Sequence, residues 1–378
     1  MAVTQAEWRT RARRLADDLR QSGALADAAW YDAFATTPRH LFVPSFSIDN
    51  RKFDRTEPVD IDSWLDVVYR DDALLTQTTQ HRPSSSSSKP AIMAVMLSLL
   101  EITGTERILE IGTGTGYNAA LLASRLGAGR VTSIDIDPSL VDDARQRLAE
   151  FGATPLLVAG DGSSGWTSRA PYDRIIATCA IHYIPPAWIH QLVEGGRIIA
   201  PLTGPGGALM VLDKIAADEV HGRFDPRPAQ FMPLRHYAND PLGPGESVGF
   251  SADGMPHYGT TTLDPQILVD ASAALALFCR LHLPGMTIGA ERSGSGSVIV
   301  HTTDAMAEVL RTPLSPGSWQ VIQRGPYRCW DSIEAAINTW HSLDRPGHSR
   351  FGITALDVTD RQFVWLDDPN GTHSWPLR

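Results

Sequence analysis

The sequence predicts an α/β protein: a mostly parallel, doubly wound sheet, preceded by an N-terminal helical segment and followed by a C-terminal α+β domain. Three observations predict it. Between residues 107 and 202, short continuous apolar runs alternate with helical patterns, the mark of a parallel sheet covered on both faces. A glycine-rich turn, Gly112, Gly114 and Gly116, joins the first of those strands to its helix. After "ALMVLDKI" the alternation stops and the grammar changes. With 378 residues the chain suggests two domains or three. The limits expected are 1–45 for the helical segment, 46–215 for the sheet domain and 216–378 for the tail.

Residues 5–21 and 25–36 read as two helices, and "TPRHLFVP" (37–44) as an extended exit from them. Residues 45–88 read as irregular. They end in five consecutive serines, Ser84 to Ser88, which in isolation would suggest a tether. A helix starts at Pro90, because Ile92, Val95, Met96, Leu99 and Leu100 fall on one face and proline suits a first turn. "RILEIG" is a buried strand and "NAALLASRLG" a helix stopped by Gly127. "RVTSIDI" is the next strand. The helix after it has Asp137 as N-cap, Pro138 at N1 and Gly152 past its end. "PLLVAGDG", "DRIIATCA" and "GRIIAPL" are further short strands. Residues 218–262 show little periodicity. "DPQILVDASAALALFCRLHL" predicts one long helix, "SVIVHTT" and "SWQVIQRG" strands, and "CWDSIEAAINTWHSL" a second helix. "FGITALDVTDRQFVWLDDP" predicts a hairpin whose turn carries Asp360.

Composition narrows the function. The chain is 43% hydrophobic and 20% charged, with a net charge of -10, which argues against a nucleic-acid partner. Cys179, Cys279 and Cys329 are scattered, with no C-x-x-C, so reduced thiols in a cytoplasmic protein are expected rather than disulfides or a metal centre. No apolar run is long enough to span a membrane.

The glycine turn lies where ligands bind in open parallel sheets, outside the carboxyl ends of the strands. The second strand ends in Asp135-Ile136, placing a carboxylate to accept from ribose hydroxyls, and the third ends in Asp161-Gly162. The spacing is G-x-G-x-G, with Tyr117 where a dinucleotide fingerprint has its third glycine, and no P-loop Gly-Lys follows. A nucleoside without pyrophosphate fits, and S-adenosyl-L-methionine is such a ligand. The cofactor residues expected are Ser86, Glu110, Gly112, Thr113, Gly114, Thr115, Gly116, Asp135, Ile136, Asp161 and Gly162. A dehydrogenase is disfavoured by the spacing.

These blocks, "TPRHLFVP", "VYRDDALLTQTTQ", "LEIGTGTGY", "TSIDID", "GDGSSGW", "PYDRIIAT" and "IPPAWIHQLVEGGRIIAPL", resemble in order and spacing the protein-L-isoaspartyl O-methyltransferases. The resemblance implies a class I methyltransferase fold and places an active-site serine in the family's Thr-Ile-Ser-x-Pro loop. Aligned on Pro90 that serine is Ser88, with Ser87 and Ser86 in the isoleucine and threonine places. The serine run is then site rather than tether, with Ser88 and Ser87 as the catalytic candidates. Two departures stand out: Ser87 replaces isoleucine, and Gln80 is followed by "HRP" where the family has Gly-Gln before the loop. Long forms with a "QFVWLDDPNGTHSWPL"-like ending resemble enzymes that tailor ribosomally made peptides, chiefly omega-ester peptides (graspetides) made with ATP-grasp ligases. A related branch acts on lanthipeptides. The resemblance therefore implies an enzyme that esterifies an aspartate of a pre-cyclised precursor peptide, with an aspartimide as the product; a monomer is expected. An isoaspartyl repair enzyme with an added domain is the alternative within the class, and a cofactor-binding protein without turnover is the alternative outside it.

Overall fold

The computed structural model describes residues 3–49, 51–54, 61–79, 81–235, 255–290, 296–358 and 361–377. Its centre is a ten-stranded sheet. Five neighbouring strands are parallel, in spatial order Leu192–Leu202, Tyr172–Ala177, Ile108–Ile111, Val131–Asp135 and Leu156–Ala159. Chain order reverses beside Ile108–Ile111, whose neighbours are the second and fourth strands in sequence, and a crevice opens at that switch point. The fold is that of a class I methyltransferase, with a second sheet unit toward the C-terminus.

The helices form where their caps and apolar faces require. Thr4 and Glu7 make a reciprocal capping box for Gln5–Gln21, which buries Trp8, Leu15 and Leu19. Asp137 accepts from the Ser139 amide at the start of Pro138–Phe151, and Gly152 ends that helix at φ +90°.

Four segments differ from the sequence expectations. "TPRHLFVP" contains the short helix Arg39–Phe42, a turn that buries Arg39, His40 and Phe42 together. Residues 45–88 are structured: the strands Ser45–Ile48, Arg51–Asp54, Leu74–Thr79 and Arg82–Ser87 form an antiparallel sheet, with the helix Ile61–Val68 between them. Four of the five serines are thus β-strand. The single long helix expected at 264–283 is two, Gln266–Val269 and Ala273–His282, because Ser272 caps the second by accepting from the Leu275 amide. Within 218–262, Glu219–Phe224 and His257–Thr261 are strands.

Glu219–Phe224 pairs with Ala208–Ala216 on one side and Phe351–Leu356 on the other. Gln362–Leu366 and Ser374–Pro376 complete that edge, so the sheet runs through residue 215 and takes in the end of the chain. The strands flanking the tail's expected hairpin are present; its turn residue Asp360 lies outside the described residues. Between these strands, a five-stranded antiparallel sheet (257–324) packs with Cys329–Ser342, which in turn packs on Ala273–His282. Trp365 is buried, Trp330 is buried in the core of this part of the chain, and Trp319, Trp340 and Trp375 pack partly buried against that core. No described helix is long and apolar enough to cross a membrane.

Candidate active site

A cavity of about 280 Å3 opens at the switch point. One wall is the glycine turn. The Gly112 and Thr113 amides donate to the Ile134 carbonyl, 2.8 and 3.1 Å, folding the turn over the second strand. Gly112 sits at φ +95°, and a Cβ there would meet Thr178 Oγ1 at 2.6 Å. Gly116, at φ +87°, comes within 3.0 Å (from its would-be Cβ) of the Ala144 methyl. It therefore does the helix-packing work that the dinucleotide motif gives to its third glycine, one position earlier than that motif's spacing.

Asp135 is nearly buried at the floor. It accepts from the Gly114 amide at 2.8 Å and the Asp137 amide at 3.1 Å, and Arg235 stands 3.8 Å away. Burial raises its pKa, with the two amides opposing. Asp135 lines the cavity, and a carboxylate there can accept from the hydroxyls of a diol. Ile134, Ile136 and Leu140 beside it supply an apolar slot of the kind a purine ring fills. The chemistry of this set, a buried acid, a close-approach glycine turn and an apolar slot, fits S-adenosylmethionine.

The facing wall is the serine strand. Ser85 and Ser87 are buried, while Ser84, Ser86 and Ser88 are half-buried, the alternation a strand imposes. Ser85 Oγ lies 3.6 Å from the position a Gly114 Cβ would take, so the two walls nearly touch. Ser86 and Ser88 line the cavity with hydroxyls that have no hydrogen bond among the described residues. The strand is fastened at both ends. Ser84 donates to Gln77, whose amide donates to Asp137 at the end of the second parallel strand. Asp71 accepts from the Ala91 amide at 2.7 Å and pairs with Lys89, seating the helix Pro90–Leu99.

Arg39 is the residue that sequence reasoning missed. Fully buried, it donates to the carbonyls of Val68, Arg70 and Asp72, each at 2.9 Å, and to Ser87 Oγ and the Ser88 carbonyl at 3.4 and 3.3 Å. It holds the serine strand to the segment before it. Its signal was present in "TPRHLFVP", as a charge just ahead of the apolar run Leu41, Phe42 and Val43. The second omission is the strap Gln230–Arg235, which closes the cavity from above. Its Met232 carbonyl and Leu234 amide pair with Ala180, at 2.8 and 2.7 Å.

Of the thirteen residues singled out from sequence, ten line the cavity: Ser86, Ser87, Ser88, Gly112, Thr113, Gly114, Thr115, Asp135, Ile136 and Gly162. Gly116 packs behind the turn. Glu110 is fully buried behind it, accepting from Asn118 Nδ2 at 2.7 Å and Ser133 Oγ at 2.5 Å, and burial pushes its pKa up to about 7. Asp161 caps its own loop, accepting from the Ser163 amide and hydroxyl. Cys179 lines the cavity, and burial raises its pKa. His182 is exposed, and the Trp166 backbone amide donates to the Gln191 side chain; neither residue is on the cavity wall. Arg350 is engaged with Asp367 by two hydrogen bonds. Among the described residues no cluster could hold a metal ion.

Residues 10–237 match the family described as protein-L-isoaspartate(D-aspartate) O-methyltransferase. A protein-L-isoaspartate O-methyltransferase 2 of Anaeromyxobacter sp. (strain Fw109-5) is 33% identical over 229 residues, 60% of this chain and 84% of that protein. A protein-L-isoaspartate O-methyltransferase of Methylorubrum populi is 35% identical over 225 residues, 59% of this chain and 94% of that one. A solved structure of a protein-L-isoaspartate O-methyltransferase superposes with a TM-score of 0.54 at 21% identity, over 94% of this chain and 99% of that chain. Its likeness is one of fold, and it extends well beyond residue 237 into the tail. With the family matched across more than half of the chain, it belongs to the protein-L-isoaspartate(D-aspartate) O-methyltransferase family and is an S-adenosylmethionine-dependent protein carboxyl O-methyltransferase.

Proposed function

We propose that the acceptor is the side-chain carboxylate of an aspartate in a ribosomally made, pre-cyclised peptide, and that esterification leads to an aspartimide. The observation that carries this reading is the acceptor wall: a strand of small hydroxyl side chains, with Ser87 where the repair family has isoleucine, and Ser86 and Ser88 free to donate. In this reading Asp135 holds the ribose, Ile136 borders the adenine, and the Gly112–Gly116 turn and Gly162 give backbone room. Glu110 and Asp161 support the turn and the neighbouring loop from behind.

Bound S-adenosylmethionine supplies a methyl on a sulfonium. The chain's own residues do the rest. An aspartate carboxylate, with a pKa of ~4, is ionised at neutral pH, so no general base is needed. Ser88, with Ser87 behind it, orients that carboxylate in line by donating a hydrogen bond, without the deep hold of a salt bridge. Ile92, Met93, Met232 and Leu234 line the cavity and exclude water that would compete as acceptor. Once the ester is made, the next backbone nitrogen can attack its carbonyl. Methanol leaves and a five-membered imide closes. Residues 216–378 are assigned to recognising the peptide, and the cytoplasm is where such a precursor is met.

A second reading, isoaspartyl repair, is favoured by one observation. A solved protein-L-isoaspartate O-methyltransferase shares the fold over 94% of the chain, tail included, so a tail of this kind accompanies that name too. A mass-resolved assay separates the two. With S-adenosylmethionine, a synthetic isoaspartyl peptide and a lactone-cyclised precursor peptide are offered separately. Methylation of the cyclised peptide alone, followed by loss of methanol, is expected. Turnover of the isoaspartyl peptide alone, or a methyl ester that never loses methanol, would sink the tailoring reading.

A further inference from the structure

Gln77 stands where the strand Leu74–Thr79 departs from regular pairing with the serine strand. Leu75 faces Ser86, Gln77 faces Ser85 and Thr78 faces Pro83, so the register slips on both sides of Gln77. Irregularities of this kind re-aim a side chain and recur beside active sites. Here the Gln77 side chain reaches from the hairpin to the cofactor side of the cavity.

Its orientation is forced. The Asp137 carboxylate only accepts, so Gln77 presents Nε2 to Asp137 Oδ2, at 2.9 Å, and turns Oε1 the other way. There Ser84 Oγ donates to it at 2.8 Å, and Thr79 Oγ1 donates to Ser84 at 3.0 Å. The bonds run in one direction from the hairpin to Asp137, the arrangement in which each strengthens the next. Asp137 is itself fixed, because its other oxygen accepts from the Ser139 amide and hydroxyl. Its backbone amide donates to Asp135 Oδ1 at 3.1 Å, and Asp135 Oδ2 accepts from the Gly114 amide. The circuit closes on the serine strand, since a Cβ on Gly114 would lie 3.6 Å from Ser85 Oγ and 3.8 Å from the Ser86 carbonyl oxygen. The acceptor wall and the acid of the nucleoside site thus share one ring of contacts, and Gln77 is the side-chain bridge across it.

We infer that Gln77 is a positioning residue: it fixes the serine strand relative to Asp135, so that cofactor binding at Asp135 orders the acceptor wall before a carboxylate arrives. The inference goes beyond the proposed function and holds for either acceptor, resting only on the assignment of Asp135 to the ribose and of the serine strand to the acceptor. A diol bonded to Asp135 restrains that carboxylate, and the Asp137 and Gln77 bonds pass the restraint to Ser84. The benefit is alignment, because in-line transfer tolerates little displacement of the acceptor.

Hydrogen–deuterium exchange reads this without an acceptor and without turnover. The full chain is compared free and saturated with S-adenosylhomocysteine, following the amides of residues 84–88. In the parent these should exchange about ten-fold more slowly in the bound state. In Gln77→Leu that ratio should fall to within about two-fold. Ser84→Ala cuts the same bridge from its other end and should do likewise, and combining the two should add nothing. A purely structural role for Gln77 would speed exchange in both states and leave the ratio as it was. No protection of residues 84–88 in the parent, or protection that survives both variants, would overturn the inference. Calorimetry on Asp135→Ala tests the ribose assignment separately: the Kd for S-adenosylhomocysteine should rise about ten-fold or more. An unchanged Kd would sink that assignment, whereas the exchange result bears on Gln77 alone.

Discussion

Replacing Arg39 by methionine should separate positioning of the acceptor wall from cofactor binding. Three carbonyl acceptors at 2.9 Å lose their donor, and two longer bonds to Ser87 and Ser88 go with them. A bond from a charged donor contributes about 1.5–3 kcal/mol, so the three short ones represent about 5–9 kcal/mol gross. Against this, the variant no longer buries a guanidinium, which relieves several kcal/mol of desolvation. A net loss of about 2–4 kcal/mol is expected, seen as a melting temperature several degrees lower. The catalytic effect should be larger than the stability effect. Freed from Arg39, the Ser88 backbone can shift by about 1 Å, and misplacement of that size lowers kcat by about 100-fold. The glycine turn and Asp135 are not touched by Arg39, so the Kd for S-adenosylhomocysteine by calorimetry should stay within about three-fold. Arg39→Lys should recover only part of kcat, since one ammonium cannot serve three carbonyls in the plane of a fork. A kcat within about three-fold of the parent, in a folded Arg39→Met protein, would refute the positioning role. A matched loss of cofactor affinity would reduce it to a general structural one.

Three further outcomes follow from the same geometry. Ser88→Ala removes the free hydroxyl on the acceptor wall and should lower kcat by about 10- to 100-fold, with the cofactor Kd unchanged in the same calorimetric measurement. Glu110, its pKa raised to about 7 by burial, binds its proton more tightly when folded than unfolded. Its favourable contribution is complete below about pH 4.5 and is lost as pH rises toward 7. Thermal melts from pH 5 to 8 should therefore show Glu110→Gln gaining on the parent as pH rises; a constant difference across that range would contradict the shift. Gly116→Ala places a methyl 3.0 Å from the Ala144 methyl at φ +87° and should destabilise by about 1–3 kcal/mol while weakening cofactor binding. An unchanged melting temperature would show that the turn relaxes freely.

The parallel core was legible because its signals are local. Continuous apolar strands, Asp137 and Pro138 at a helix start, and Gly127 and Gly152 at helix ends each follow from a few neighbouring residues. The serine strand was illegible for a chemical reason: period-two burial of Ser85 and Ser87 leaves no trace when every position holds the same residue. What makes it a strand is Leu74–Thr79, which pairs with it. Arg39 was passed over because a charged residue reads as surface, and the exceptions are those whose partners are assembled from distant carbonyls. The glycine turn with Asp135 was the part of the site most visible in sequence, since its spacing is its geometry. The strap Gln230–Arg235 was not, lying in a stretch rich in proline, glycine and aspartate where composition hid a pairing with Ala180.

The tail belongs to the active-site wall as much as to a separate unit. The side-chain amide of Gln362, fully buried on the strand Gln362–Leu366, accepts from the Ile184 amide at 2.8 Å and donates to its carbonyl at 2.7 Å. Ile184 ends the segment that starts at Thr178 and Cys179 in the cavity and passes through Ala180, where the strap docks. One short segment after the fourth parallel strand is thus held from two sides, by Leu234 and Met232 above and by Gln362 at its end. Cutting the chain at residue 215 would remove both fastenings and expose the edge of Ala208–Ala216 as well. Residues far from the methyl-transfer cavity in sequence therefore set the shape of its mouth. That coupling gives a common methyltransferase core a way to change acceptors by changing the tail, without moving the cofactor.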